Sequence, residues 1–178
     1  MKVIAISGHA MNGKDTAAEM IRSALELNGE RVLITHYADL LKYICKMFFG
    51  WNGEKDERGR NLLQYVGTDV VRKKKPDFWV EFIIFILEHF GDNWDYVIIP
   101  DTRFPNEIDR LIEDGFCVTH IRIDRNNFNS ELNNEQKTHE SETALDKTTP
   151  DYLIKNSGSL QDLENNISKW VKEYLNAG

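Results

Sequence analysis

The chain reads as an α/β domain built on a five-stranded, mostly parallel sheet. Three observations predict this. Short apolar runs rich in β-branched residues show no polar alternation, as strands buried on both faces do. The stretches between them carry apolar residues at helical spacing, and glycines or prolines stand at the joints. The 178 residues suit one domain, which would bury roughly two-thirds of the surface its unfolded chain exposes.

Residues 2–7, KVIAIS, form the first strand. A glycine loop leads to a helix on which Ala17, Met20, Ile21, Ala24 and Leu25 recur, with Gly29 as its stop. RVLITHY, 31–37, is the second strand. From Asp39 a helix places Leu40, Leu41, Ile44, Cys45 and Phe48 on one side and ends at Gly50. Beyond the polar NGEKDERG come two more helices. One carries Leu62, Leu63, Val66 and Val70 and runs out at KKKP; the other starts near Pro76 and aligns Trp79, Phe82, Ile83 and Ile86. YVIIP, 96–100, is the third strand, and FPNEIDRLIEDG a short helix with Pro105 in its first turn and Gly115 at its end. CVTHIRI, 117–123, and DYLIKN, 151–156, are the fourth and fifth strands. A last helix from Ser159 shows Leu160, Leu163, Ile167, Trp170, Val171 and Tyr174. No internal repeat occurs. Residues 124–149 are almost wholly polar, which fits a disordered loop or a mobile lid equally well.

Composition narrows the function. A net charge of −7 argues against a nucleic-acid polymer as partner, because phosphate backbones need a basic face. It leaves room for a single nucleotide. Cys45 and Cys117 lie in apolar stretches without CxxC or Cys/His clustering, so both read as buried thiols in a reducing compartment. MKVIAIS is interrupted by glycine too soon for a signal sequence, and no run of 18 apolar residues exists. The expected location is the cytoplasm, with no membrane contact.

The chemistry is concentrated in SGHAMNGKDT, residues 7–16. Gly8 and Gly13 with Lys14 make G-x-x-x-x-G-K between a strand and a helix, the context of a phosphate-binding P-loop. There the amides of Ala10, Met11, Asn12 and Gly13 turn inward to phosphate oxygens, the helix start adds positive charge, and Lys14 reaches the terminal phosphates. Asp15 stands where a hydroxyl normally coordinates Mg²⁺; its carboxylate is a hard ligand suited to the same ion, and Thr16 can still donate to a phosphate. Asp101 ends the third strand, where it would face that metal or else cap the helix at Pro105. Arg103 could clamp a phosphoryl group, with Glu107 nearby on the same edge.

Taken together, GHAMNGKDT, YADLLK, GRNLLQYVGTDVVR with PDFW, DTRFPNE and THESE, in this order, resemble the phage-type deoxynucleoside monophosphate kinases. These belong to the nucleoside monophosphate kinase group of P-loop proteins. The resemblance covers about residues 1–160 and includes the G-K-D-T form of the loop. It implies a P-loop three-layer sandwich with a helical acceptor-binding insertion at about 38–90 and a lid at about 124–149. The implied reaction carries the γ-phosphoryl group of ATP, with Mg²⁺, to a deoxynucleoside 5′-monophosphate.

The resemblance also distributes roles. Lys14, Arg103 and Asp101 would be catalytic; Asp15 and Asp101 would hold the metal. Asp39, Lys42, Arg60, Gln64, Arg72 and Trp79 would hold the acceptor, Arg72 through its phosphate. Asp39 could equally be a helix N-cap and Trp79 a core residue, while Lys73 to Lys75 read as a solvated helix end. Arg122, Arg125, Lys137, His139 and Glu142 would belong to the lid, although no arginine cluster arms it. His139 reads more readily as a loop histidine. Asn156 would border the adenine. Two rivals remain: a P-loop kinase of another phosphorylated acceptor, such as dephospho-coenzyme A or phosphomevalonate, and a non-catalytic nucleotide switch. The aromatic face of helix 76–90 fits a homodimer surface or burial under the long loop.

Overall fold

A computed structural model describes residues 1–125 and 134–177. The strands are β1 (Lys2–Ser7), β2 (Val32–Ile34), β3 (Tyr96–Ile99), β4 (Cys117–Asp124) and β5 (Tyr152–Lys155). They form one sheet in the order β2-β3-β1-β4-β5, and every pairing is parallel. The chain leaves β1 towards β2 on one side and later reaches β4 on the other. β1 therefore marks the switch point, where the crevice beyond the carboxyl ends of α/β sheets takes its ligands.

Alternation along the central strands separates two apolar layers. Ile4 and Ile6 of β1 pack with Ala17, Ile21 and Leu25 of α1 (Lys14–Glu26) and Leu163, Ile167 and Trp170 of α8 (Leu160–Ala177). Val3 faces the other way, with Val97 and Ile99 of β3, Trp79, Ile83 and Leu87 of α4 (Phe78–Phe90), and Leu111 of α5 (Pro105–Glu113). The result is the expected three-layer arrangement. Each fully buried Ile or Leu contributes roughly 1.5–3 kcal/mol of hydrophobic stabilisation.

Between β2 and β3 lie α2 (Ala38–Phe49), α3 (Glu57–Gln64) and a π-helical turn (Tyr65–Arg72) continuous with it. Asp56 caps α3 by accepting from the Gly59 N–H at 2.7 Å. After β4, α6 (Asn134–Thr138) and α7 (Glu140–Thr143) lead to β5. Among the described residues no helix is long and apolar enough to cross a membrane.

Several sequence expectations need correction. β2 stops at Ile34 rather than at residue 37, because the Tyr37 and Ala38 N–H groups turn to the Asp101 carboxylate and start α2. Phe48, in the last turn of α2, is exposed, and so is Leu160 at the start of α8. On α4 the helical repeat buries Trp79, Val80, Ile83, Ile84 and Leu87 and leaves Phe82 outside. Cys45 is buried as expected; Cys117 is the first residue of β4 and is exposed. Residues 126–133 of the expected lid lie outside the described residues.

Candidate active site: a phosphate loop met by a carboxylate

The loop between β1 and α1 needs unusual backbone. Gly8 has φ 141°, and a Cβ there would collide with the Ile123 carbonyl oxygen of β4. Met11 has φ 65° and Gly13 φ 89°, so two residues of the loop occupy the left-handed region. Among the described residues no side chain caps the start of α1, which leaves its first amides available to an anion. Asn12 points away from the crevice and donates to the Ile123 carbonyl at 3.2 Å. Asn156, after β5, donates to the Asn12 carbonyl at 3.0 Å. It therefore braces the loop from behind.

Lys14 is buried, and its Nζ donates to the carbonyls of Gly8 at 2.8 Å and His9 at 2.9 Å. Burial, with Arg103 adding to it, lowers its pKa to about 8. Glu142 of α7 meets the loop: its Oε2 accepts from the Ala10 N–H at 3.0 Å, and its Oε1 pairs with Arg103 Nη1. Burial pushes the Glu142 carboxyl up, but Arg103 and then Ala10 outweigh it and hold it below the usual range. Arg103 also donates to the Ser141 carbonyl at 2.8 Å. A cavity of about 10 Å³ is all that remains between Ser7, Gly8, Arg103 and Glu142, room for about one water.

The α6–α7 segment is tied down on both flanks. Arg122 of β4 donates to the Leu145 carbonyl at 2.9 Å and pairs with Asp146 at 2.7 Å. Gln136 donates to Asn61 of α3 at 2.7 Å. His139 Nδ1 accepts from the Ser141 N–H at 3.2 Å, which caps α7, and Nε2 lies 3.8 Å from Asp69 in the π-helical turn. Lys137 is exposed on α6, and Arg125 stands just past the end of β4.

The other strand ends supply carboxylates. Both oxygens of Asp101 accept backbone N–H groups, Tyr37 at 3.0 Å and Ala38 at 2.9 Å. Asp101 thus caps α2 and not the helix at Pro105, and Asp39 is not that cap. Glu107 performs the job at α5, accepting from the N–H groups of Arg103 at 2.7 Å and Phe104 at 3.0 Å. Asp15 is exposed and meets His36 Nε2 at 3.2 Å. His36 Nδ1 lies 3.3 Å from Asp39, which pairs with Lys42 at 2.8 Å.

In the acceptor region two expectations change. Arg72 lies over the Phe104 ring at 3.8 Å, and its Nη2 donates to the buried Glu107 at 2.6 Å. Its guanidinium braces α5 against the π-helical turn and is only 11% exposed, so as placed it is not the open fork expected for an acceptor phosphate. Trp79 is a core residue; its Nε1 donates to the Gly67 carbonyl at 3.0 Å. Gly67 in turn lets α2 approach, because a Cβ there would sit 2.7 Å from Leu41. Arg60 is half-buried and donates to the Lys55 carbonyl at 2.6 Å. Gln64 closes α3, half-buried. A larger cavity, about 150 Å³, lies away from all these residues, between α5 and residues 148–151.

Residues 34–167 match the family model for deoxynucleotide monophosphate kinases, three-quarters of the chain. The chain belongs to the deoxynucleotide monophosphate kinase family. It is 33% identical over 115 residues to the deoxynucleotide monophosphate kinase of Enterobacteria phage T4, covering 64% of this chain and 45% of that protein. It is 28% identical over 166 residues to the enzyme of the same name from Escherichia phage RB69, covering 89% and 65% respectively. The chain thus spans about half to two-thirds of the length of these phage proteins. A sugar kinase from Janibacter shares the fold, with a TM-score of 0.55 and 12% identity over 97% of this chain and 95% of its own.

Some functional geometry was not readable from residue types. Glu107 stood in a suggestive segment, and Phe104-Pro105 with Glu107 three residues after Phe104 is a helix-start pattern that could have exposed its capping role. His36 gave no signal, because RVLITHY placed it inside the second strand. The contacts of Gln136 with Asn61 and of His139 with Asp69 arise from chain folding alone.

Proposed function

We propose that this chain transfers the γ-phosphoryl group of ATP to a deoxynucleoside 5′-monophosphate. The observation that carries this reading is the phosphate loop with its buried Lys14 at the sheet's switch point, in a chain of this family. Phosphoryl transfer asks the protein for positioning and for positive charge where charge develops. Lys14 lies beside the loop amides, and Arg103 reaches the same place from the end of β3. The acceptor would lie between α2 and the π-helical turn, near Asp39, Lys42, Arg60 and Gln64.

Glu142 then acts as a stand-in for a phosphate group. It takes an N–H of the loop and the Arg103 guanidinium, the donors that a terminal phosphate needs. ATP has to displace it, and the α6–α7 segment moves as a lid whose closed form excludes water. Asp15, exposed beside the loop, fits Mg²⁺, which commonly takes one or two carboxylates along with phosphate oxygens. Asp101 fits less well as a direct ligand, since both of its oxygens serve α2. The ion would supply charge neutralisation on the phosphates; Asp15 would orient it.

Phe82 and Phe85 remain 38% and 52% exposed, which supports a homodimer through α4; sedimentation of the native chain tests it. Two free cysteines fit a reducing cytoplasm. The catalytic reading is tested by an ADP-release assay with dAMP, dCMP, dGMP, dTMP and dephospho-coenzyme A. Turnover with at least one deoxynucleotide and none with the coenzyme precursor supports it. Release with the coenzyme precursor alone would move the protein to another acceptor class.

A further inference from the structure

His36 occupies a position that the reaction above does not explain. It follows β2, between the start of α1, which carries the loop's Asp15, and the start of α2, which carries Asp39. Its two ring nitrogens face opposite carboxylates: Nε2 is 3.2 Å from Asp15 Oδ1 and Nδ1 is 3.3 Å from Asp39 Oδ2. One edge of a single ring therefore touches the donor side and the other the acceptor side. The remaining charges around it are Asp101 behind the start of α2 and Lys42, which holds Asp39 from the next turn.

We propose that His36 is a positioning residue that holds the acceptor-gripping start of α2 in register with the metal-side carboxylate of the phosphate loop. The proposal rests on the kinase reading. Folding stability does not account for the arrangement: the Asp15 and Asp39 side chains are 79% and 55% exposed, and pairs so exposed contribute little to the folded state. Geometry does account for it. A planar ring with one nitrogen against each carboxylate fixes the distance between its partners, whereas a lysine would swing about one of them. An acceptor phosphate held near α2 then meets a donor phosphate held at the loop without a search over relative helix positions. Displacements of about 1 Å in such alignment cost up to roughly a hundredfold in rate.

Lys42 also holds Asp39, while the Asp15 side chain meets His36. Losing the ring should free Asp15 to swing and α2 to drift.

The test is steady-state kinetics of His36→Ala and His36→Gln in the full chain, with both substrates varied, beside thermal melting and titration with a non-hydrolysable ATP analogue. The expected result for His36→Ala is a loss of about tenfold or more in kcat/KM for the monophosphate. Analogue affinity should stay within about threefold and the melting temperature should be nearly unchanged. His36→Gln, which can still donate to one carboxylate, should recover part of the loss. Combining His36→Ala with Asp39→Asn should add little beyond the larger single effect, because both break one bridge. The inference falls if His36→Ala keeps monophosphate kinetics within twofold, or if losses follow a lowered melting temperature in both substrates alike. If the unaltered chain phosphorylates no deoxynucleotide, the kinase reading fails and takes this inference with it.

Discussion

The phosphate loop and the α6–α7 segment meet at the Ala10–Glu142 hydrogen bond, yet they are held in place by different means. The loop is nine consecutive residues from Gly8 to Thr16, fixed by its own backbone and by β4 and Asn156 behind it. The α6–α7 segment is held by polar partners on β4 (Arg122), the loop before α5 (Arg103), and α3 with its π-helical turn (Asn61, Asp69), with Leu145 as its buried apolar anchor. A ligand that competes for polar partners can displace such a segment. It cannot displace the loop without unfolding the centre of the sheet. The difference teaches where the rigid and the exchangeable halves of this site lie.

The largest expected effect breaks the rigid half. Lys14→Ala should lower kcat by about a hundredfold to a thousandfold, the range seen when one preorganised electrostatic donor is lost. The fold should persist, because the substitution removes a desolvated charge. A coupled ADP-release assay checks the first point and melting the second. Turnover retained near the unaltered level would mean that the loop is not the catalytic half.

Next comes the exchangeable half. Glu142→Ala should tighten binding of a non-hydrolysable ATP analogue by about tenfold, since a charge-assisted hydrogen bond of roughly 1.5–3 kcal/mol no longer competes. Calorimetric titration reads this directly. Weaker binding would make Glu142 a contributor to the nucleotide site instead of its competitor.

Acidity sharpens the contrast. Burial, helped by Arg103, lowers the Lys14 pKa to about 8, and phosphates favour its protonated form. Analogue affinity should therefore fall as pH rises through about 8, by at most tenfold per pH unit, with proton uptake on binding. The stability term has its own sign. Between pH 8 and 10.5 the unfolded chain binds this proton more than the folded one, so Lys14 contributes increasing stability as pH rises across that window. Titrations in buffers of different ionisation enthalpy check the uptake.

The smallest effect concerns Trp79. Trp79→Phe removes its hydrogen bond to the Gly67 carbonyl and should cost about 1–2 kcal/mol of stability, while KM for the monophosphate stays within about twofold. Denaturant unfolding and kinetics separate the two. An acceptor defect without loss of stability would return Trp79 to the pocket.

Legibility in the sequence followed the same division. Strands, loop and helix order could be read because burial on both sheet faces and glycine chemistry act over a few adjacent residues. The roles of Asp101, Arg72 and Asn156 could not, because each depends on a partner far along the chain: Ala38, Glu107 and Asn12. A carboxylate after a strand looks the same whether it faces a metal or caps α2. Arg72 had the right chemistry for a phosphate, and only the buried Glu107 beside Phe104 shows where its guanidinium is engaged. Glu142 and His139 were recognisable as a motif, but their meeting with the loop and with Asp69 required the folded chain.

The most direct measurement uses ATP labelled in its γ-phosphoryl group, incubated with each deoxynucleoside monophosphate and the native chain, with products separated and counted. The account predicts label in a deoxynucleoside diphosphate, lost in Lys14→Ala. Label appearing only as inorganic phosphate, or staying in ATP with every acceptor, would contradict it.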